Sequence, residues 1–148
     1  MGVEKKGTPG IASVASRLVL ISYPQALLTL GRRLIDDSQF STAVVVSHMA
    51  CEIAVERSLS KSFAKKGIQD LKEPVVDLLN GYSLANDKIR KLYTALTGDE
   101  IQQKPFWPKF TESAKRRNHI IHQGKIVGKV EAEDSFSAAT DFVAHLEK

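Results

Sequence analysis

The feature that most constrains the fold is a long stretch from Thr42 to about Lys65, which is apolar at nearly every position over its first half. The three consecutive valines at 44–46 also favour a β-strand, but the stretch continues for about 20 residues without a turn signal, and strands rarely exceed about 10 residues. A helix that is apolar on every side is buried among other helices. We therefore predict a central helix over 42–65, with Ser41 as its N-cap and Gly67 beyond its end.

The remaining segments also show helical periodicity. Pro24 is expected to break or kink the chain, and a short helix could precede it over 11–22. Further helices are predicted over 25–36, 73–80, 84–96, 107–124 and 131–148, with a loop at 97–105 and a connection at 125–130 that could be extended. The predicted fold class is all-α, an up-and-down bundle of five or six helices forming one domain over 11–148, after a flexible tail over 1–10.

Composition narrows the functional class. The single cysteine, Cys51, excludes an internal disulfide and suits a reducing compartment, which predicts a cytoplasmic protein. We find neither an apolar run of the roughly 18 residues that a membrane span needs nor a signal-peptide pattern, so no membrane partner is expected. A net charge of +4 and a pI near 9.2 are compatible with a nucleic-acid partner but do not establish one.

The helix predicted over 107–124 carries the densest set of cationic and titratable side chains. Pro108 suits its first turn and Gly124 suits its end. On a wheel of about 100° per residue, Arg117 falls within an apolar stripe, which is formed by Trp107, Phe110, Ala114 and Ile121. A buried arginine needs an acidic partner, a bound anion or a water-filled interface.

The central helix offers an acidic partner for Arg117. His48 and Glu52 lie four residues apart on a stripe of that helix that is otherwise apolar, so both need polar contacts. We expect these two side chains to pair and Glu52 to fix the orientation of Arg117. A purely structural ion pair is the alternative interpretation, and the two can coexist.

The spacing of Arg117, Asn118 and His122 limits how one helix can hold a ligand. Asn118 and His122 are four apart and share a helix face, whereas Arg117 and His122 are separated by about 140° on the wheel. Arg117 and His122 of one helix therefore do not easily bind the same small anion, but two copies of the helix facing each other could do so. Alternatively, His122 is a helix-end histidine stabilised by the helix dipole.

The pattern Arg117-Asn118-x-x-x-His122 resembles the signature of HEPN domains, and the resemblance extends over residues 24–148. It implies a compact helical bundle that dimerises. Many members of this family are metal-independent ribonucleases of toxin–antitoxin, phage-defence and RNA-processing systems. In those members the arginine and histidine of two protomers form one composite site, and the residue after the arginine orients the site.

The resemblance implies a role for each motif residue. Arg117 would hold the scissile phosphate, and His122 would exchange protons with a ribose 2′-OH and the leaving 5′-oxygen, leaving a 2′,3′-cyclic phosphate. Asn118 would support them. The side chains expected to point away from the apolar stripe and contact flanking phosphates, or simply solvent, are Lys115, Arg116 and His119. No cofactor and no metal are expected, because His119 and His122 lack a third ligand nearby.

Other interpretations stay open. The same pocket could bind a nucleotide or RNA phosphate without cleaving it, or the chain could be a structural helical adaptor. Family toxins that a partner nucleotidyltransferase modifies carry a tyrosine two positions after the motif histidine, where this chain has Gly124. Modification at that position is therefore not supported, while an antitoxin or a nucleotidyltransferase-like partner stays possible.

Overall fold

The described part of the chain is helical throughout. The computed structural model describes residues 20–148, which form six α-helices: α1 Tyr23–Asp36, α2 Phe40–Lys65, α3 Lys72–Leu79, α4 Asp87–Thr97, α5 Trp107–Gln123 and α6 Lys129–Leu146. Two 3-10 turns lie between them, at Gln69–Leu71 and Ile101–Gln103, and residues 20–148 contain no β-strand. The all-α prediction is confirmed. The tail expected over 1–10 and most of the helix expected over 11–22 lie outside the described residues.

Helix α2 is the centre of the bundle, as its composition predicts. It packs against each of the other five helices. Its buried apolar side chains point to several sides of the helix: Ala43, Val44, Ala50, Cys51, Ala54, Val55, Leu59 and Phe63. Because every neighbouring helix contacts α2, a polar side chain on α2 can reach more than one of them.

The structure differs from the predictions at the starts of α1 and α2, and α4 begins at Asp87, three residues later than predicted. Pro24 does not break the chain but lies in the first turn of α1, where its missing N–H costs no hydrogen bond. Ser22 caps this helix, with its hydroxyl accepting from the N–H of Gln25 at 3.3 Å. Ser41 is not the cap of α2, because the helix begins at Phe40 with Gln39 in the N-cap position. The hydroxyl of Ser41 instead accepts from the N–H of Val127 at 3.1 Å. The predicted cap is instead a tie between the start of α2 and the α5–α6 connection.

An aromatic stack joins α5 and α6 over the central helix. The rings of Phe110 and Phe142 are nearly parallel with centroids 4.3 Å apart. The ring centroid of Trp107 lies 5.2 Å from that of Phe110, and the two rings are tilted by 37°. Phe110 and Phe142 are both fully buried, so this stack fixes where α5 sits on the bundle.

A polar cluster ties the loop before α5 to the end of α6. Asp99 accepts a hydrogen bond from the hydroxyl of Tyr93 at 2.6 Å, and the same oxygen lies 2.6 Å from Nε2 of His145. Burial alone would raise the pKa of Asp99, but these two hydrogen bonds outweigh it and hold that pKa below its usual value. The loop is therefore held by a carboxylate that is ionised in the folded protein.

None of the helices in residues 20–148 combines the length and the apolar character that a membrane crossing requires.

Candidate functional site

Arg117 lies where α5 crosses α2. Its Nη2 is 3.8 Å from Oε1 of Glu52, and its Nη1 donates to Oδ1 of Asn118 at 3.1 Å. About a quarter of each side chain of the Arg117–Glu52 pair is exposed, 26% and 28%. The Nε–H of Arg117 is buried and finds no acceptor among residues 20–148. The guanidinium is thus oriented from two sides, reaches solvent, and keeps unused hydrogen-bonding capacity.

Glu52 in turn is held by His48. Nε2 of His48 is 3.4 Å from Oε1 of Glu52, and only 3% of the His48 side chain is exposed. The imidazole stacks on Phe110 with ring centroids 5.9 Å apart. The hydrogen bond from His48 lowers the pKa of Glu52 below its usual value; burial opposes this shift, and the charges of His48 and Arg117 add to it. A chain of contacts therefore runs from the core, through His48 and Glu52, to Arg117 at the surface.

Asn118 and His122 both lie on the exposed face of α5. Asn118 accepts from Arg117, and residues 20–148 show no hydrogen bond between Asn118 and His122. His122 lies in the last turn of α5, which ends at Gly124 in the left-handed conformation with φ 64°. The structure thus joins Arg117, Asn118, Glu52 and His48 in one cluster and leaves His122 beside it, open to solvent.

The placement expected for Arg116 at the surface is wrong. Its Nη1 donates to Oγ of Ser135 at 2.7 Å and to the carbonyl oxygen of Glu131 at 3.2 Å, both on α6. Its Nε lies 3.4 Å from the Glu131 carboxylate, and 12% of the side chain is exposed. The physical reason is the packing of α6 against the side of α5 on which Arg116 lies. Arg116 could contact a substrate only if these hydrogen bonds to α6 broke.

Lys115 and His119 are exposed, as the wheel predicts. Ile121, expected on the buried stripe, is 47% exposed instead. Met49, one turn before Glu52 on α2, is 38% exposed. By helix geometry Ile121 and Met49 flank the Arg117–Glu52 pair, one from each helix. Sequence reasoning missed this exposed apolar pair, because both residues are of types that are usually buried.

Within residues 20–148, no three His, Cys, Asp or Glu side chains lie close enough together to hold a metal ion. Comparison of the chain with protein-family models, with curated proteins and with solved structures finds no match in any of the three.

Proposed function

We propose that this chain is a metal-independent endoribonuclease of HEPN type, with an active site completed at a homodimer interface. The observation that supports this best is the setting of Arg117, a partly exposed arginine fixed by Glu52 and Asn118. His122 follows about 7 Å further along the same helix. A planar guanidinium held at a surface beside an exposed imidazole suits the recognition and cleavage of a phosphodiester.

The proposed chemistry uses the two side chains in separate roles. Arg117 binds the non-bridging oxygens of the scissile phosphate and stabilises the charge that develops in the transition state. His122, as neutral imidazole, accepts the proton of the 2′-OH as that oxygen attacks phosphorus; an imidazolium donates a proton to the leaving 5′-oxygen. The products are a 2′,3′-cyclic phosphate and a 5′-hydroxyl. Asn118 keeps the guanidinium in place.

The exposed apolar side chains beside the site support a dimer. Met49 and Ile121 together form an apolar surface around a charged pair, and a second copy of the chain would remove that surface from water. In a two-fold contact the same helices face each other. Arg117 of one protomer would then share a cleft with His122 of the other. The angle of about 140° that separates the two side chains on one helix would no longer keep them from contacting the same phosphate.

The other expected contacts stay predictions. Lys115 and His119 would contact phosphates beside the cleaved one. Arg116 could do so only if its hydrogen bonds to α6 broke. We further propose a cytoplasmic location and a role in a toxin–antitoxin, defence or RNA-processing system, with an antitoxin or nucleotidyltransferase-like partner still possible.

The first test is cleavage of a labelled RNA pool by the purified protein in EDTA, with wild type beside His122→Ala. We expect wild type alone to cleave, leaving cyclic-phosphate ends, and His122→Ala to stay folded by circular dichroism. If neither protein cleaves but inorganic phosphate or RNA raises the melting temperature, the site is a phosphate-binding module. If Arg117→Ala unfolds the protein, the structural adaptor is favoured instead.

The second test addresses the composite site. Arg117→Ala and His122→Ala protomers, each inactive alone, are unfolded together and refolded as a mixture. If each site pairs Arg117 of one protomer with His122 of the other, about one quarter of wild-type activity returns, because half of the dimers are mixed and one of their two sites is intact. No recovery in verified mixed dimers, or full activity in a monomeric Ile121→Asp variant, contradicts the composite site.

A further inference from the structure

The C-terminal half of α2 presents a row of cations to solvent. Arg57, Lys61 and Lys65, called here the α2 cationic row, are all exposed. They recur every fourth residue, so they lie on one side of the helix about 6 Å apart along its axis. Among residues 20–148 no carboxylate lies within 4.0 Å of any of these three side chains, whereas the nearby Glu56 pairs with Lys72 at 3.4 Å. The charges of the row are therefore available to an external anion.

The row follows three connected surface depressions. The first, of about 470 Å³, is lined by Tyr23, Ile53, Glu56, Arg57, Ser60 and Lys61. The second, of about 380 Å³, shares Arg57 and Lys61 with the first; its further polar lining residues are Ser22, Ser58, Ser62, Glu147 and Lys148. The third, of about 420 Å³, shares Ser62 with the second and adds Lys65 and Lys66. Because neighbouring depressions share lining residues, they follow one another as a path along the helix.

The chemistry of this path matches a single nucleic-acid strand. Cations spaced along a helix can follow successive phosphates, and serine hydroxyls can bond phosphate and sugar oxygens. At one end the ring of Tyr23, 52% exposed, lies in the first depression with Arg57 and Lys61. An exposed aromatic ring beside a cationic groove is how unpaired bases are held by stacking. A membrane surface would instead need an exposed apolar face beside the cations. Here serines line the path together with four apolar residues that are buried or half-buried: Ile53, Ala54, Leu96 and Leu146.

The row lies away from Arg117. Lys61 is nine residues beyond Glu52, which places it about 180° around α2 and about 13 Å further along its axis. A strand bound here is therefore held outside the proposed cleavage site, on the other side of the central helix.

We propose that the α2 cationic row, with Tyr23 at its end, is a binding surface for single-stranded RNA that holds substrate outside the cleft. The identity of the strand rests on the proposed function, but binding is measured separately from cleavage.

The experiment uses the full chain carrying His122→Ala, so that bound RNA is not cut. Fluorescence anisotropy of a labelled 20-nucleotide single-stranded RNA is recorded over a series of salt concentrations. Neutralising the row with Arg57→Gln, Lys61→Gln and Lys65→Gln should lower the slope of log affinity against log salt by about 2, because each phosphate contact on a single strand contributes about 0.7.

Two further variants make this result specific. Tyr23→Ala should weaken binding by roughly 5- to 160-fold without changing the slope, since the stacking contact involves no phosphate charge. A charge-matched control neutralises three exposed lysines elsewhere, Lys88, Lys91 and Lys109, and should keep the wild-type slope. Circular dichroism shows that each variant is folded.

The binding and cleavage results together distinguish failure of the RNA-binding surface from failure of the nuclease. A folded row variant with wild-type affinity and slope overturns the RNA surface, even if wild type cleaves RNA. Row-dependent binding without any cleavage by wild type overturns the nuclease and supports the surface. If the row variant binds RNA normally but loses binding to phosphatidylserine-containing vesicles, the partner of the row is a membrane and the RNA surface is refuted.

Discussion

The Glu52–Arg117 pair should show a measurable coupling energy in a double-mutant cycle. Two unit charges 3.8 Å apart, as these are, attract by about 1 kcal/mol in water and by about 4 kcal/mol at the effective dielectric of a protein surface. Because roughly three quarters of each side chain is covered, we expect a coupling of about 1–2 kcal/mol, above the value usual for exposed pairs.

The assay is urea unfolding of wild type, Glu52→Gln, Arg117→Gln and the double variant at neutral pH. The control cycle uses Asp87 and Arg90, an ion pair in which the Asp87 side chain is 72% exposed; its coupling should stay below about 1 kcal/mol. Since the pKa of Glu52 is lowered in the folded protein, the stabilisation by its carboxylate is present above its unfolded pKa, near 4.3, and is lost as pH falls below that value.

The same variants test whether Glu52 positions Arg117 for catalysis. Glu52→Gln should stay folded at 25 °C and lose about 10²-fold in the rate of RNA cleavage, because a guanidinium displaced by about 1 Å no longer fits the transition state. A coupling energy near zero together with unchanged cleavage would refute the reasoning, since the contact would then neither stabilise the fold nor orient the arginine.

Three further substitutions test the packing. Asp99→Asn should remove about 1–3 kcal/mol of stability at pH 7 and flatten the loss of stability as pH falls below the unfolded pKa of aspartate, about 3.9, because the lowered pKa of Asp99 makes its contribution vanish on acidification; urea unfolding at each pH checks this. Phe110→Ala should cost about 3–5 kcal/mol in the same assay, because the ring is fully buried in an aromatic stack. Gly31→Ala should destabilise, because the added Cβ would lie 2.9 Å from Oγ of Ser47; adding Ser47→Ala should restore stability, and no rescue in thermal unfolding would contradict this.

The helices could be predicted because the residues that indicate a helix and its ends lie within that helix or directly beside it. The long apolar stretch gave α2 almost to its observed bounds, and Pro108 with Gly124 gave both ends of α5. The errors at Pro24 and Ser41 have a different origin. A proline is compatible with a first turn as well as with a break, and a serine in the first turn of a helix, as Ser41 is, can bond a distant backbone N–H instead of capping that helix.

Part of the candidate site could also be predicted from the sequence. A charged side chain on an apolar stripe must be compensated by a partner, and this requirement is enough to connect Arg117 with Glu52 from the sequence. The exposure of Ile121 could not be predicted in this way. A helical wheel gives the angle between side chains of one helix, but it does not say how far along that helix a neighbour continues to cover the stripe.

The adjacent arginines show what the packing of three helices adds. Arg116 and Arg117 differ by about 100° around α5, so the first bonds Ser135 on α6 while the second reaches Glu52 on α2. Each arginine thereby ties the motif helix to a different neighbour, and α5 cannot rotate without breaking one of the two contacts. Only one side of α5 is left to solvent, the side that carries Asn118 and His122. Any partner or substrate that engages this helix must approach from that side, where the partly exposed guanidinium of Arg117 already lies at the edge.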